Sequence, residues 1–504
     1  MFLHIFFKEP VAEKKGTFFF STWGRMNGYL KKIELAYKVE IAVFSAMVIF
    51  LLCYFAFYRG VSCDEREHTY ASFMFYRGFL PYKDFFEHHH PLLWFLSYPL
   101  LYFFHNSGYI WYVLRAFMLV VLGAECFFVV KICRLFSLDR LFSLLAVLFF
   151  LSSECVLSSG VEFRPDNLMM LFGLAGVYYW LCFVKYRWQS ALNLSFLMFF
   201  LSFLALQKAV IIILPVAGVS LFLACRGKMP WRAVGKALIF PAFFTICFVG
   251  FWYYAGALRD YFELNFVLNL MQRFEFSFEI YGTLYCWFGV GGAVGILFFV
   301  RDVLLKVLAV LCLATFFLLQ IVFYTPWIQY WLPVYPYFAL ICAYWIVKLK
   351  NVLGRFIILS CVLGGYVFFF NNMLALRASF VPLAHNVFFS SQVLGEVDED
   401  ELIIGNNVTL GGLRFEAMGY YWFERGYTAL LDYRRFHRRK WPDKEKVIKL
   451  IKPKVIVKGS QRVCLREDDF AFSFDSCYYT EGLYYQDFLD ENYYDRGFVY
   501  VRKS

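Results

Sequence analysis

Charge is scarce in this sequence. Of 504 residues only 17% are Asp, Glu, Lys or Arg, where a soluble domain carries about a quarter. Set against 61% hydrophobic residues, that scarcity excludes a chain solvated on all sides and predicts a polytopic membrane protein. Cysteine chemistry is thin too. Most of the 14 cysteines lie in apolar runs (Cys53, Cys126, Cys182, Cys247, Cys312), where they act as small hydrophobes. There is no Cys-x-x-Cys pair and no Cys/His zinc spacing. Cys464 and Cys477 stand in a polar region, and a disulfide between them stays open. No internal repeat and no low-complexity linker is visible, so the inverted-repeat signature of many transporters is missing. A cleavable signal is missing as well. The apolar run in "MFLHIFFKEPVAEKK" is too short and no small-residue cleavage site follows, so the first long apolar segment is expected to remain as a transmembrane helix.

What is there is a series of long apolar segments, about eleven by length. They centre on 39–58, 109–130, 141–157, 167–184, 190–206, 209–225, 237–257, 281–300, 307–324, 329–347 and 352–370. "PLLWFLSYPLLYFF" from Pro91 is short and carries two prolines, so it reads as a re-entrant or interfacial helix. The few charges orient the spans. Lys14, Lys15, Lys31 and Lys32 precede the first. Alternate loops carry Lys131, Arg134 and Arg140; Lys185 and Arg187; Arg226, Lys228, Arg232 and Lys236; Arg301 and Lys306; and Lys348, Lys350 and Arg355. All fall on one side if the N-terminus is cytoplasmic. The opposite loops hold Asp64, Glu65, Glu67, Asp84, Glu87, Glu162, Asp166, Asp260 and Glu263. The net charge of +11 lies wholly in residues 1–371, since 372–504 balance. That is a positive-inside bias and not a nucleic-acid footprint. The expected organisation is a cytoplasmic arm (1–38), a transmembrane region (39–371) with an outer loop (59–108), and a small extracytoplasmic α/β domain (372–504). In that tail "DELIIGNN", "PKVIVKG" and "FVYVRK" read as strands, and "DKEKVIKLI" and "GLYYQDFLDENYY" as helices.

The outer loop holds the chemistry. Acids at an outer membrane edge are ordinarily just solvated. The stretch from "CDEREHTY" to "PYKDFFEHHHP" is long for such a loop, however, and long loops in compact proteins are usually functional. "VEFRPDNLMM" places Arg164 and Asp166 at the outer end of another span. Pro165 suits a first helical turn, and Asp166 faces that helix's positive end. The consecutive His88, His89 and His90 diverge along a helix and cannot share one metal. "GVGGAVG" from Gly289 lies inside a span after no strand, and reads as close helix packing through Gly291 and Gly295. "NVT" at Asn407 is a weak glycosylation acceptor. "YRRFHRRK" from Tyr433 is a basic run that, outside, could touch anionic lipid.

These residues resemble the membrane glycosyltransferases of the GT-C fold, in the bacterial family 39 type akin to lipid A aminoarabinose transferases and protein O-mannosyltransferases. The likeness rests on the acids after the first span, "YRGFLPYKDFFEHHHPLLWFL", "EFRPDNL", "LALQKAVIIILP" from Leu204 and "QYWLPVYPYFAL" from Gln329. It covers about residues 39–371, in the order of motifs and the span plan. One departure stands out: aminoarabinose transferases usually carry Lys after the Phe-Glu pair that corresponds to Phe86–Glu87, and this chain has His88. The resemblance implies a polyprenyl-phosphate sugar donor and a lipid, glycan or protein acceptor, in the inner membrane among its lipids. An acceptor hydroxyl needs a base, and Asp64 is the candidate, with Asp166 orienting the acceptor or sharing the task and Glu65 structural. The leaving lipid phosphate needs cations, not a general acid. Arg66, Lys83, His88, Arg164 and Lys208 are candidates, and Gln329 and Tyr330 fall in a family pattern. One base and one displacement invert the anomeric centre. No cofactor is expected, although Asp64, Glu65, Glu67 and Asp166 include enough oxygen donors to hold a divalent ion. The rival reading, a transporter or lipid flippase, looks to ionisable residues deep in spans, of which Glu125 is the main acid.

The charge asymmetry makes a topological prediction. A reporter active only outside the cytoplasm, fused after Lys503, is expected to give signal, and one inserted between Arg226 and Lys236 is not. Signal from the cytoplasmic side after Lys503 would overturn the eleven-span arrangement.

Overall fold

The computed structural model describes residues 18–85, 87–138, 140–270, 284–322, 328–349, 352–377 and 382–397, with the short segments 402–404, 415–416, 455–457, 490–495 and 499–503. Helices α1 (Phe18–Phe57), α2 (Cys63–Tyr76), α3 (Leu92–Phe104), α4 (Ile110–Leu135), α5 (Arg140–Leu151) and α6 (Glu154–Ser159) lead into α7 (Pro165–Tyr186), α8 (Gln189–Ala205), α9 (Val210–Cys225) and α10 (Trp231–Tyr254). Then come α11 (Leu258–Phe262), a π-helical turn over Glu263–Val267, α12 (Leu268–Leu270), α13 (Leu284–Phe299), α14 (Val303–Val322), α15 (Tyr335–Lys348), α16 (Val352–Arg377) and α17 (Leu383–Glu396). Six helical segments are long and apolar enough to cross a membrane by length and composition: Lys32–Phe57, Ile110–Leu135, Pro165–Tyr186, Gln207–Cys225, Trp231–Tyr254 and Val303–Ile321. Shorter apolar helices occupy most of the other predicted spans.

One difference from the sequence reading has a local cause. The predicted span 141–157 is broken: α5 ends at Leu151, and Ser153 accepts from the Val156 amide as N-cap of α6. A serine at that point offers the backbone an alternative to the helical ladder. The arm ahead of residue 39 is helical from Phe18 on. The segment from Pro91 is the short helix expected, 13 residues with Pro99 inside it.

The chain divides into two compact units. In the first, Met1–Met47 with Trp345–Arg377, Arg355 donates to the Val347 and Leu349 carbonyls at the end of α15. A cation there meets the helix's negative end. The second, Val48–Tyr344 with Ala378–Ser504, holds everything described below. Its core packs Phe73, Trp94, Trp111, Leu114, Phe163, Leu206, Trp252 and Tyr261 together. Helices α7 and α8 lie in close contact through small residues. Ser195 donates to the Gly176 carbonyl at 2.8 Å and Ser202 to the Met169 carbonyl at 2.7 Å, as expected where backbones approach. In the glycine run of α13 the close approach falls at Gly289, against the Phe338 ring, and not at Gly291, where a Cβ would meet open space.

The tail carries a five-stranded sheet: β1 (Leu402–Ile404), β2 (Phe415–Glu416), β3 (Val455–Val457), β4 (Tyr493–Asp495) and β5 (Val499–Arg502), in the order β2-β1-β3-β5-β4. β1 pairs in parallel with β2 and β3, while β5 runs antiparallel to β3 and β4. The three expected strands coincide with β1, β3 and β5. β4 takes Tyr493 and Tyr494 from what reads in sequence as a helix; of the rest of that stretch the described residues 490–492 are helical. The expected helix "DKEKVIKLI", Cys464, Cys477, Asn407 and the basic run 433–440 lie outside the described residues.

Helix α17 was not legible in the sequence, and it is seated firmly. Leu383 donates its amide to the Tyr58 carbonyl at 2.8 Å, Asn386 accepts from the Val61 amide, and Ser390 accepts from Trp111 Nε1. Gly108 permits this: a Cβ there would run into the Val387 carbonyl oxygen and Ser391 Oγ. Gly108→Ala is therefore expected to lower stability by about 1–3 kcal/mol, the usual cost of overpacking. Gly218→Ala in α9, where a Cβ meets open space, should be neutral or slightly stabilising. Thermal unfolding of the two purified variants in detergent checks this, and equal melting temperatures would show that α17 does not rest on Gly108.

Candidate active site

The site begins with how α2 starts. Ser62 and Glu65 form a capping box, Ser62 Oγ accepting from the Glu65 amide and Glu65 accepting from the Ser62 amide at 3.0 Å. This is a readable sequence signature. It turns "SCDEREH" into the first turns of a helix and sends Asp64, Glu65, Glu67 and His68 in different directions.

Glu65 points inward. Arg115 Nε and Nη2 grip its two oxygens at 2.8 and 2.6 Å, and both side chains are 1% exposed. The same guanidinium donates to the carbonyls of Phe55, Ala56, Arg59 and Gly60, at and just past the end of α1. The Phe163 amide also donates to Glu65. Burial alone would raise the Glu65 carboxyl, but the Arg115 charge and hydrogen bonds overcome it and hold it below its ordinary value.

Asp64 points the other way. Arg164 Nη1 meets Asp64 Oδ2 at 2.6 Å, and the Asp64 side chain keeps 26% exposure. Arg164 also reaches Glu162 at 3.3 Å and Asp166 at 3.4 Å. Burial opposes its charge, but Asp64 and Asp166 keep the guanidinium protonated, above its ordinary range. Glu162 is paired in turn with Arg59. Arg164 is the N-cap of α7, with Pro165 and Asp166 in its first turn, so Asp166 lies at the helix's positive end. Lys208, in the short turn before α9, sits over the Tyr330 ring at 3.6 Å and within electrostatic reach of Asp166, Asp64 and Glu67. Gln329 shares the 3-10 turn Ile328–Trp331 with Tyr330.

The other candidates fall elsewhere. Arg66 is buried and donates to the Val61 carbonyl at 2.8 Å. Lys83 is exposed and donates to the Ala255 carbonyl after α10. His88 is part-buried, with Nδ1 3.7 Å from Glu67 and 3.8 Å from Glu87. Burial and the neighbouring His89 and Lys208 charges push it well below its ordinary value, so it is neutral at pH 7. Its carbonyl accepts from Gln207 and Asn269. His89 turns to Glu87 Oε1 at 2.8 Å, and despite burial Glu67 and Glu87 push it up to about 10. His90 is wholly buried between the Phe203 carbonyl and the Tyr261 hydroxyl, and burial takes it down to about 4. The expected divergence holds only for His90: the segment is irregular and not a helix, so the His88 and His89 rings lie together, centroids 3.9 Å apart, both facing Glu67 and Glu87.

The structure thus brings together Asp64, Arg164, Asp166, Lys208 and Tyr330 from four chain segments. Sequence reasoning missed Arg115, whose signal was an arginine inside an apolar span. It also missed Arg59.

No family model matches the chain. No curated protein matches its sequence. Among solved structures, ArnT from Cupriavidus metallidurans in the apo state matches over 83% of this chain and 92% of that one, with TM-score 0.53 at 11% identity. The same protein bound to undecaprenyl phosphate matches over 70% of each chain, with TM-score 0.49 at 13% identity. The apo-state match shows that the chain has the fold of that protein, the GT-C type implied by the sequence resemblance.

The geometry around Arg115 predicts a stability phenotype. Arg115→Ala leaves the Glu65 carboxylate buried without its partner and is expected to cost about 3–5 kcal/mol. Adding Glu65→Gln should restore part of it. The Glu65 value is lowered in the fold, so its contribution is present above about pH 4.3 and is lost as pH falls through the folded value. Melting curves across pH for the wild type, the single variants and the double variant test this. A double variant no better than Arg115→Ala would deny the coupling.

Proposed function

We propose that the chain is an integral-membrane glycosyltransferase that moves a sugar from a polyprenyl-phosphate donor to a lipid, glycan or protein acceptor at the extracytoplasmic face of the membrane. The observation that carries this is the convergence of Asp64 with Arg164, Asp166 and Lys208 at the ends of α2, α7 and α9. The fold shared with ArnT and the sequence resemblance supply the reaction class.

In this reading Arg164 holds Asp64 Oδ2, and the second oxygen of this partly exposed side chain takes the acceptor hydroxyl. The acceptor oxygen bonds to the anomeric carbon as the bond from that carbon to the lipid phosphate oxygen breaks. The acceptor proton passes to Asp64. The lipid phosphate leaves ionised, and Lys208, braced on the Tyr330 ring, meets its charge. One displacement inverts the anomeric centre. Asp166 orients the acceptor and shares Arg164. Glu65 stays structural. Gln329 borders the site beside Tyr330.

The transporter alternative has one observation in its favour, Glu125, buried inside α4 with one oxygen lacking a hydrogen-bond partner. An isolated buried acid offers no route for a charged substrate, whereas the Asp64 cluster combines a base with cations.

Asp64→Asn keeps the size of the side chain and its place beside Arg164 but cannot accept a proton. Turnover of a radiolabelled polyprenyl-phosphate sugar by purified protein is expected to fall at least about a hundredfold, with donor binding retained. Near-normal turnover in Asp64→Asn would move the base to Asp166, and no transfer by the wild type with any such donor would sink the assignment.

A further inference from the structure

Beside the Asp64 cluster lies a second group of ionisable side chains that the proposed reaction does not use. Glu67 and His68 come from the second turn of α2, and Glu87 and His89 from the segment before α3. Each offers one donor atom, and these atoms all lie within 4.8 Å of one another. Glu67, His68 and Glu87 are 3%, 1% and 0% exposed.

The cluster is not satisfied as it stands. His68 Nδ1 and Glu87 Oε2 are buried with no hydrogen-bond partner. Glu67 Oε1, 3.3 Å from His89 Nδ1, makes no hydrogen bond of good geometry. Buried polar atoms are nearly always paired, so several orphans aimed at one point call for a missing partner. A proton on His89 serves Glu87 Oε1 but leaves His68 Nδ1 and the second Glu87 oxygen unserved. The His68 and His89 rings meet edge to face with centroids 4.8 Å apart, an arrangement that lets two imidazole nitrogens face a common centre.

We propose that Glu67, His68, Glu87 and His89 form a binding site for a divalent transition-metal ion of the zinc class. Two imidazoles and two carboxylates suit Zn2+ or a similar first-row ion, whereas Mg2+ and Ca2+ take oxygen ligands. A tetrahedral shell with bonds of about 2.0–2.1 Å sets its ligand atoms about 3.4 Å apart. The cluster therefore needs to close by a little over an ångström at its widest, within reach of side-chain rotation. The ion takes the place of the proton on His89, so binding releases a proton. Its structural consequence is to tie the segment before α3 to α2, directly behind Asp64.

Of the consecutive histidines, His89 belongs to the group of four; His88 stands beside it with ring centroids 3.9 Å apart, and His90 faces the Phe203 carbonyl instead. The sequence signal is a repeated pair, Glu67–His68 and Glu87–His88, with the ligand histidine one place later in the second copy.

The test uses full-length protein without a polyhistidine tag, stripped with a chelator, and inductively coupled plasma mass spectrometry after equilibration with Zn2+. About one equivalent is expected to be retained, with a rise in melting temperature that Mg2+ does not produce. His68→Asn and Glu87→Gln should each weaken Zn2+ binding by more than about a hundredfold, since even loss of outer contacts to a metal costs 10–100-fold. His385→Asn, outside the cluster, should bind as the wild type does. Should either cluster variant fail to fold, Co2+ added to the wild type supplies a second reading: an intense visible spectrum of four-coordinate cobalt supports the site. No retained zinc in the wild type, retention unchanged in both cluster variants, or a weak six-coordinate cobalt spectrum would overturn it. None of these readouts needs transferase turnover, so failure here and failure of the proposed reaction are separable.

Discussion

A single buried guanidinium organises the junction of α1, α2 and α7. Arg115 sits at 1% exposure and spends its donors on Glu65 and on the carbonyls that end α1. Those carbonyls have no partner within their own helix and carry its negative end. Glu65 is at once the Arg115 partner, the capping residue of α2 and an acceptor for the Phe163 amide. One ion pair thus fixes where α1 stops, where α2 starts and where the chain approaches α7. Taken alone such a pair is weak support for stability, because desolvating both charges offsets most of the attraction. Here the additional hydrogen bonds settle the balance, and they also set direction. With Glu65 held inward, its neighbour Asp64 must project toward Arg164.

The same logic repeats one layer out. Arg164 stands between Asp64, Glu162 and Asp166, and Arg59 faces Glu162. Carboxylates gathered this closely repel one another unless cations sit among them. Two arginines and the positive end of α7 supply that. A cluster built this way sets acids among cations beside apolar helices, which is what the proposed reaction asks of a base acting on a lipid-borne substrate.

How much of this was legible follows the physics of each signal. Apolar length is a signal of twenty residues, so the helical plan from residue 39 onward reads well. A serine pair reads badly: Ser152–Ser153 breaks a helix inside a run that hydropathy alone carries through. Asp64, Arg164, Asp166 and Lys208 were legible as outer ionisable groups, and the structure brings them together. Lys83 looked equivalent in sequence and is held at the Ala255 carbonyl instead, since nothing local tells which way a loop lysine turns. Arg115 was passed over because a lone arginine in a span reads as an exception until its partners are known. Helix α17 was missed because its seat is tertiary, resting on Gly108 and Trp111 far away in sequence. Tyr493 and Tyr494 fit a helical pattern locally, and pairing with β5 decides for strand.

The three consecutive histidines show how one short irregular segment holds several elements in register. The His88 carbonyl is held by Gln207 and Asn269, His89 turns to Glu87, and His90 closes on the Phe203 carbonyl and Tyr261. The segment is thereby stitched to the turn before α9, to α8 and to α11 and α12. A lysine at position 88 would bring its charge against His89, which the two glutamates already keep cationic, and would have to stay charged where burial keeps His88 neutral. In the proposed reaction, charge for the leaving phosphate therefore comes from Lys208 in the neighbouring turn. Gln207 binds the His88 carbonyl and Lys208 follows it directly, so the contact that fixes the histidine segment also fixes where the lysine stands. One hydrogen bond thus holds a neutral histidine and a lysine in register.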